Sequence, residues 1–271
     1  MEELNFKEEL NTALKAAEKA AEVIKSLRDE VLENKGGKRQ WYKGGDEIVT
    51  TADLKANEII LSTIKEDFPD AVFLSEESEK ESNLYSAKLW IVDPIDGTVN
   101  YSRGHLNVGI SIAYAENGEV KVGVVHCPFL NETYWAVKKA GAFLNGNPLR
   151  IKDSIKLENS LIATGFPYKR EKRERLVKLA GNVLNQCGDI RRLGAASVDI
   201  CWIASRRIDG YYETVSAWDI AAALLIAKEA GALVGRYKNT TSLNVPDDLN
   251  GENLLVAVPS IFNKLKELLA E

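Results

Sequence analysis

Histidine, methionine, cysteine and proline are all scarce in this chain, at two, one, three and seven among 271 residues. The three cysteines, Cys127, Cys187 and Cys201, are odd in number and far apart, with no CxxC pair. The pattern fits neither a disulfide framework nor a zinc site, and the thiols read as buried and free. There is no run of about 18 apolar residues, so no membrane-spanning helix is expected. The N-terminal MEELNFKEELNTALK lacks the apolar stretch of a signal peptide and reads as the start of a cytoplasmic protein. Positive charge is not in excess: the net formal charge of −5 argues against a general nucleic-acid or anionic-membrane surface, so any phosphate must be held by a local site. Low-complexity tracts and internal repeats are also missing. What is present, 45% hydrophobic and 28% charged residues, is the composition of a globular protein long enough to bury a large core as one domain or two joined halves.

Residues 5–33 carry Leu10, Leu14, Ala17, Ala21, Ile24 and Val31 at three- and four-residue steps, which predicts a long amphipathic helix lying on a sheet. GGKRQWYKGGDEIVTTAD follows, with paired glycines around a basic and aromatic insert, and reads as a mobile surface loop. A second helix is expected over residues 54–67, ending before Pro69. AVFLSEES and KLWIVDPIDGT read as short apolar strands ending in acids, while NVGISIAYA, EVKVGVVHC and ETYWAV predict an antiparallel meander. Residues 1–150 thus read as an α+β half with a large antiparallel sheet and the metal site. After GAFLNGNPLRIKDS the pattern resets, and residues 151–271 read as an α/β half completing the site. Its predicted elements are a strand at SLIATG, a helix over 172–187, a strand over 190–193, a helix at AASVDICWIAS, a strand at IDGYYE, a helix at WDIAAALLIAKEAGA, and the final LLVAVPS and IFNKLKELLA.

The acids at the element ends carry the chemistry. A hard cation such as Mg²⁺ takes oxygen ligands in near-octahedral geometry, so its site needs carboxylates on rigid backbone. In Asp93-Pro94-Ile95-Asp96 the proline favours a turn in which both carboxylates, and the Ile95 carbonyl, can converge on metal ions. Gly97 permits close backbone approach, and Thr98 offers a hydroxyl and the opening N–H groups of a helix to an anion. Read alone, DPIDG is an ordinary turn, since Asp, Pro and Gly are the commonest turn residues. Two further acid clusters shift the balance toward metal: Ser75-Glu76-Glu77-Ser78 after one strand, and Trp218-Asp219 at the start of a very apolar helix.

WIVDPIDGT resembles the central signature of the inositol monophosphatases. AWDIAAALLIAKEAGA resembles the second signature of that family, and SEES, DEIVTTAD and RLGAASVDICWIA followed by DGYYE stand in the family's order from about residue 40 to 235. The resemblance implies the layered α-β-α-β-α sandwich of the lithium-sensitive, magnesium-dependent sugar-phosphate phosphatases, commonly homodimeric, acting on a small phosphate ester. It implies that Glu76, Asp93 and the Ile95 carbonyl hold one ion, that Asp93, Asp96 and Asp219 hold a second, and that Glu76 also touches a third. Asp53 and Thr98 become the pair that activates the attacking water. Asp96 and the Gly97 and Thr98 amides face the phosphate, Gly194, Ala195, Ala196 and Glu213 face the sugar or inositol, and Lys43 becomes a mobile-loop lysine near the metals. Departures from the family are Ser75 where glycine is frequent, Val99-Asn100 after DGT, and Gly104-His105-Leu106; the last bears on substrate contacts rather than metal ligands.

The substrate stays open between inositol 1-phosphate and fructose 1,6-bisphosphate, whose second phosphate needs positive charge. Arg192 with Arg191 suits it, because a planar guanidinium meets phosphate oxygens bidentately; Lys169 and Arg170 lie further out, in a charge run that reads as a solvated helix start. Two alternatives remain: a nucleotide 3′-phosphatase acting on adenosine 3′,5′-bisphosphate, and a regulatory binding protein that keeps the fold.

Overall fold

The apolar stripe near the N-terminus forms the expected helix. In the computed structural model, which describes residues 5–33, 40–43, 47–78, 83–152, 154–166, 173–242 and 244–270, α1 (Lys7–Glu33) buries Leu10, Ala17, Ala21, Ile24 and Val31 and exposes Lys15, Glu18, Glu22 and Lys25. β1 (Gln40–Lys43) pairs antiparallel with β2 (Glu47–Thr50), and α2 (Thr51–Asp67) packs against α1. Together α1 and α2 cover one face of a seven-stranded sheet. Its strands, in both chain and spatial order, are β3 (Phe73–Ser75), β4 (Leu89–Asp96), β5 (Gly109–Glu116), β6 (Glu119–Cys127), β7 (Glu132–Val137), β8 (Gly141–Leu144) and β9 (Asn147–Leu149). β3 runs parallel to β4 and every other pair is antiparallel. The short α3 (Thr98–Ser102) leaves the end of β4.

A second, mixed sheet has the order β11-β10-β12-β14-β13, formed by β10 (Leu161–Thr164), β11 (Asp189–Arg191), β12 (Gly210–Glu213), β13 (Leu233–Arg236) and β14 (Leu254–Ala257). α4 (Arg173–Leu184) and α7 (Phe262–Ala270) lie on its outer side, and α5 (Ala196–Ala204) and α6 (Ala217–Ala230) are clamped between the two sheets. The architecture is therefore the α-β-α-β-α sandwich expected from the sequence.

Burial explains the sequence pattern. β4 is buried along its whole length: Trp90 and Val92 enter the core beneath α1 and α2, and Leu89 and Ile91 enter the core between the sheets. Only a strand covered on both faces reads as a continuous apolar run. α6 is apolar all round for the same reason, with every residue from Ile220 to Ala227 buried. Among the described residues no helix is long and apolar enough to cross a membrane.

Several boundaries differ from expectation. The segment read as a loop contains the β1–β2 pair. α2 begins at Thr51, because Thr50 caps it and brings Asp53 into its first turn. β8 and β9 extend the first sheet through a Gly- and Asn-rich stretch, with Pro148 tolerated because β9 is an edge strand. The helix expected over 172–187 spans Arg173–Leu184, and the strand expected over 190–193 is Asp189–Arg191. Lys169, Arg170 and the side chain of Lys43 lie outside the described residues.

Candidate active site

The site starts from a break in β4. Along a regular strand, residues three apart point to opposite faces. Here the pairing with β5 shifts register between Asp93 and Asp96, where Pro94 has no N–H to give the ladder, and Asp93 Oδ1 accepts from Ile95 N at 2.9 Å. The irregularity brings the two aspartates to one place, and Asp219 joins them: carboxylate oxygens of Asp93, Asp96 and Asp219 lie within 4.8 Å of one another. Glu76, just past β3, is hydrogen-bonded to Asp93.

Two of the acids are held by the helices that carry them. Asp219 stands at the third position of α6 and accepts from Ser216 N at 2.8 Å; Asp53 stands at the third position of α2 and accepts on Oδ2 from Thr50 N at 2.8 Å and Thr50 Oγ1 at 2.5 Å. Each is half of a capping box. Asp53 thereby commits one oxygen to its helix start and turns Oδ1 toward Thr98, whose Oγ1 lies 3.1 Å from Asp53 Oδ1 and 3.1 Å from Ile95 O. The hydroxyl has one proton and can donate to one of them at a time. Asp96 meets the start of α5, where its Oδ2 accepts from Ser197 N and Ser197 Oγ at 2.6 Å each. A carboxylate there also complements the helix dipole.

Facing these acids is the turn that leads into α5. Gly97 has φ +92°, and a Cβ on it would stand 2.9 Å from Asn107 O and 3.2 Å from Ala195 Cβ, so glycine is the residue that fits. Asn100 donates through Nδ2 to Asn107 O at 2.8 Å and to Leu193 O at 2.7 Å, pinning the turn that contains Gly194, Ala195 and Ala196 against α3. The Arg192 guanidinium folds over Gly194, where a Cβ would be 2.5 Å from its terminal nitrogen. Arg191 instead pairs with Asp189 at 2.5 Å, and both arginines are exposed. Glu213, at the end of β12, accepts from the Tyr211 hydroxyl at 2.5 Å and packs where any side chain on Gly165 would collide with it.

Burial without countercharge dominates the electrostatics. No described Lys, Arg or His forms an ion pair with Asp53, Asp93, Asp96 or Asp219. Burial lifts Asp53 from 3.8 to about 7 despite its Thr50 bonds, with Glu77 adding repulsion. Burial likewise raises Asp96 to about 6 against its bonds to Ser197, and raises Asp219 to about 8 with help from the Asp96 charge. Glu76 and Asp93 are pushed up by burial and by their acidic neighbours. Glu213 rises to about 7 through burial, with Arg192 opposing. Carboxylates crowded this way need either protons or a cation to coexist. An all-oxygen, carboxylate-rich donor set suits Mg²⁺ and not a thiolate- or imidazole-seeking ion, so the residues present fit the expected metal.

The predicted acids therefore come together with Thr98, while the 194–196 turn and Glu213 flank them. Sequence reading missed Thr50, Asn100, Ser111, Ser197, Tyr211 and Asp199. Ser111 Oγ donates to Trp218 O at 2.9 Å, docking the start of α6 opposite Asp93. Asp199, on α5, is 1% exposed with an unpartnered Oδ1. The capping patterns T-x-x-D and S-x-x-D and the Tyr211–Glu213 pair are local in the chain; Ser111 and Ser197 meet partners more than 100 residues away, and Asn100 reaches Leu193.

The chain matches the inositol monophosphatase family over residues 6–271. It is 35% identical to the Nus factor SuhB of Pasteurella multocida over 97% of both chains. Among solved structures, the extragenic suppressor protein suhB of Bartonella henselae superposes with a TM-score of 0.86 at 31% identity, covering 96% of this chain and 98% of that one. An IMPase of Thermotoga maritima superposes with a TM-score of 0.83 at 31% identity, covering 97% of each. With the acid cluster, the sandwich and the near-complete match together, the chain belongs to the inositol monophosphatase family.

Proposed function

We propose that the protein is a magnesium-dependent phosphomonoesterase that hydrolyses inositol 1-phosphate by direct attack of water, with fructose 1,6-bisphosphate as a second substrate. The observation that carries this is Thr98 Oγ1 bridging Asp53 Oδ1 and Ile95 O beside the Asp93, Asp96 and Asp219 cluster. Asp93, Asp96, Asp219, Glu76 and the Ile95 carbonyl would hold two or three ions, with lithium competing. When bound, Mg²⁺ acidifies water and neutralises charge on the phosphate and the leaving oxygen. Thr98 then takes the proton of the attacking water while handing its own to Asp53, whose elevation to about 7 suits a base working near neutral pH. The Gly97 and Thr98 amides hold the phosphate, and Gly194, Ala195, Ala196 and Glu213 contact the polyol. Arg192, free of the pairing that engages Arg191, serves a second phosphate. In this reading residues 1–150 supply most of the metal site, residues 151–271 complete the active site through the metal ligand Asp219 and the polyol contact Glu213, and the working form is a cytoplasmic homodimer with Lys43 near the metals.

The test is phosphate release from inositol 1-phosphate, fructose 1,6-bisphosphate and adenosine 3′,5′-bisphosphate, each with and without Mg²⁺. Turnover of the nucleotide alone would replace this reading with the nucleotide phosphatase. The Nus factor name of the relatives favours a second reading, a regulatory binding role beside catalysis. Binding of a partner by an Asp93→Asn variant that has lost turnover would establish that role as separate.

A further inference from the structure

Asp53 lies on α2, Asp93 on β4 and Glu76 just past the end of β3, and the side-chain contact that joins the end of β3 to α2 is made by Ser75, which is none of the three. β3 ends at Ser75, paired in register with Val92, and Glu76 N donates onward to Val92 O at 3.2 Å, so the backbone on either side of Glu76 and Asp93 is stitched together. On its other side Ser75 Oγ donates to Asn57 Oδ1 at 2.7 Å. Asn57 lies four residues after Asp53 on α2, hence on the same helix face, one turn along. Both partners are sequestered, Ser75 at 2% and Asn57 at 8% exposure, so water does not compete for the bond. The acceptor is an amide rather than a carboxylate, which spares Asp53 a further negative neighbour beyond Glu77.

We propose that Ser75 and Asn57 are positioning residues whose hydrogen bond anchors the end of β3 to α2, holds Glu76 against Asp93, and so sets the divalent-cation affinity of the site. The proposal rests on the metal-dependent reading above. A buried hydroxyl–amide pair adds little net stability compared with two apolar side chains of the same shape. Its physical return is geometric: it forbids β3 from sliding along α2, which would carry Glu76 away from Asp93. Partners that orient metal ligands in this way change affinity by about 10- to 100-fold when removed.

The experiment uses metal-stripped full-length protein titrated with Mn²⁺ in a calorimeter, with the melting temperature of the metal-free protein and the KM for inositol 1-phosphate measured in parallel. Ser75→Ala and Asn57→Ala should each weaken Mn²⁺ binding about tenfold, the double variant should be no weaker than either single one because both remove the same bond, and Ser75→Thr, which keeps the hydroxyl, should restore binding. KM should move little. Unchanged Mn²⁺ affinity in Ser75→Ala, with only a lower melting temperature, would reduce the bond to ordinary packing and overturn the proposal. If Ser75→Ala does not fold, Asn57→Ala reads the same bond from the other side. Tight Mn²⁺ binding by a wild type that releases no phosphate from any ester would defeat the phosphatase reading alone, since the affinity comparison still decides this one; a wild type that binds no cation overturns both.

Discussion

The Thr98 hydroxyl lies 3.1 Å from Asp53 Oδ1 although the two residues are 45 positions apart in the chain. The contact fixes α3, which leaves the end of β4, to the first turn of α2, and it places a neutral proton carrier against a carboxyl that burial has raised to about 7. If that pair moves the proton of the attacking water, either partner can be replaced while every carboxylate metal ligand is kept, Thr98 touching the metal set only through Ile95 O. Asp53→Asn and Thr98→Val should each lower kcat by about 10²- to 10⁴-fold and leave Mn²⁺ affinity within a few-fold. Wild-type kcat in either variant would remove the pair from the mechanism.

Asp93 touches both Glu76 and Asp219, so its loss should dismantle the cation site as a whole. Asp93→Asn should cut magnesium-dependent phosphate release on the order of 10³-fold or more, the equivalent of losing several kcal/mol of charge stabilisation. Its metal-free form should melt no lower than wild type, because a desolvated carboxylate has been exchanged for a neutral amide. Undiminished turnover in Asp93→Asn would sink the assignment of the metal ligands.

The raised carboxyls make a signed statement about pH. Asp96, Asp53 and Asp219 titrate at about 6, 7 and 8 in the folded protein, against 3.8 ordinarily. A group raised on folding contributes its stability in full below the unfolded value and loses it as pH climbs through the folded value. The melting temperature of metal-free protein should therefore fall as pH rises from about 5 to about 8.5, and saturating Mg²⁺ should reverse much of the fall by favouring the ionised forms. A flat metal-free profile across that window would mean that these acids are better solvated than their burial implies.

Arg192 folds over Gly194 with its guanidinium close to Glu213, whereas Arg191 is tied to Asp189. Arg192→Ala should raise KM for fructose 1,6-bisphosphate by about 10- to 100-fold, the loss of one or two charge-assisted hydrogen bonds, and change KM for inositol 1-phosphate much less. Equal effects on both substrates would assign the arginine to the polyol or the shared phosphate instead.

What could be read in advance follows from what is local. The break at Asp93-Pro94-Ile95-Asp96 was legible because proline and paired acids interrupt an apolar run, and β4 was legible because it is covered on both faces. The start of α2 was misjudged although Thr50-Thr51-Ala52-Asp53 has the spacing of a capping box, which sets Asp53 inside the helix. β8 and β9 escaped notice because an edge pair tolerates the glycine, asparagine and proline that punctuate loops elsewhere. Ser197 could not have been chosen: nothing near it in the chain announces that it will bond an aspartate 101 residues earlier. Ser75 was noticed only as a departure from a family pattern, and its role depends on a helix face that sequence does not show.

The position of Asp219 at the head of α6, the helix wedged between the two sheets, ties acquisition of the site to the order of synthesis. A growing chain presents Asp93 and Asp96 long before Asp219 emerges, and α6 cannot seat its buried run until β10 to β14 close over it. An unfinished chain thus has Glu76, Asp93 and Asp96 without Asp219, and the cluster of Asp93, Asp96 and Asp219 is complete only once α6 is seated.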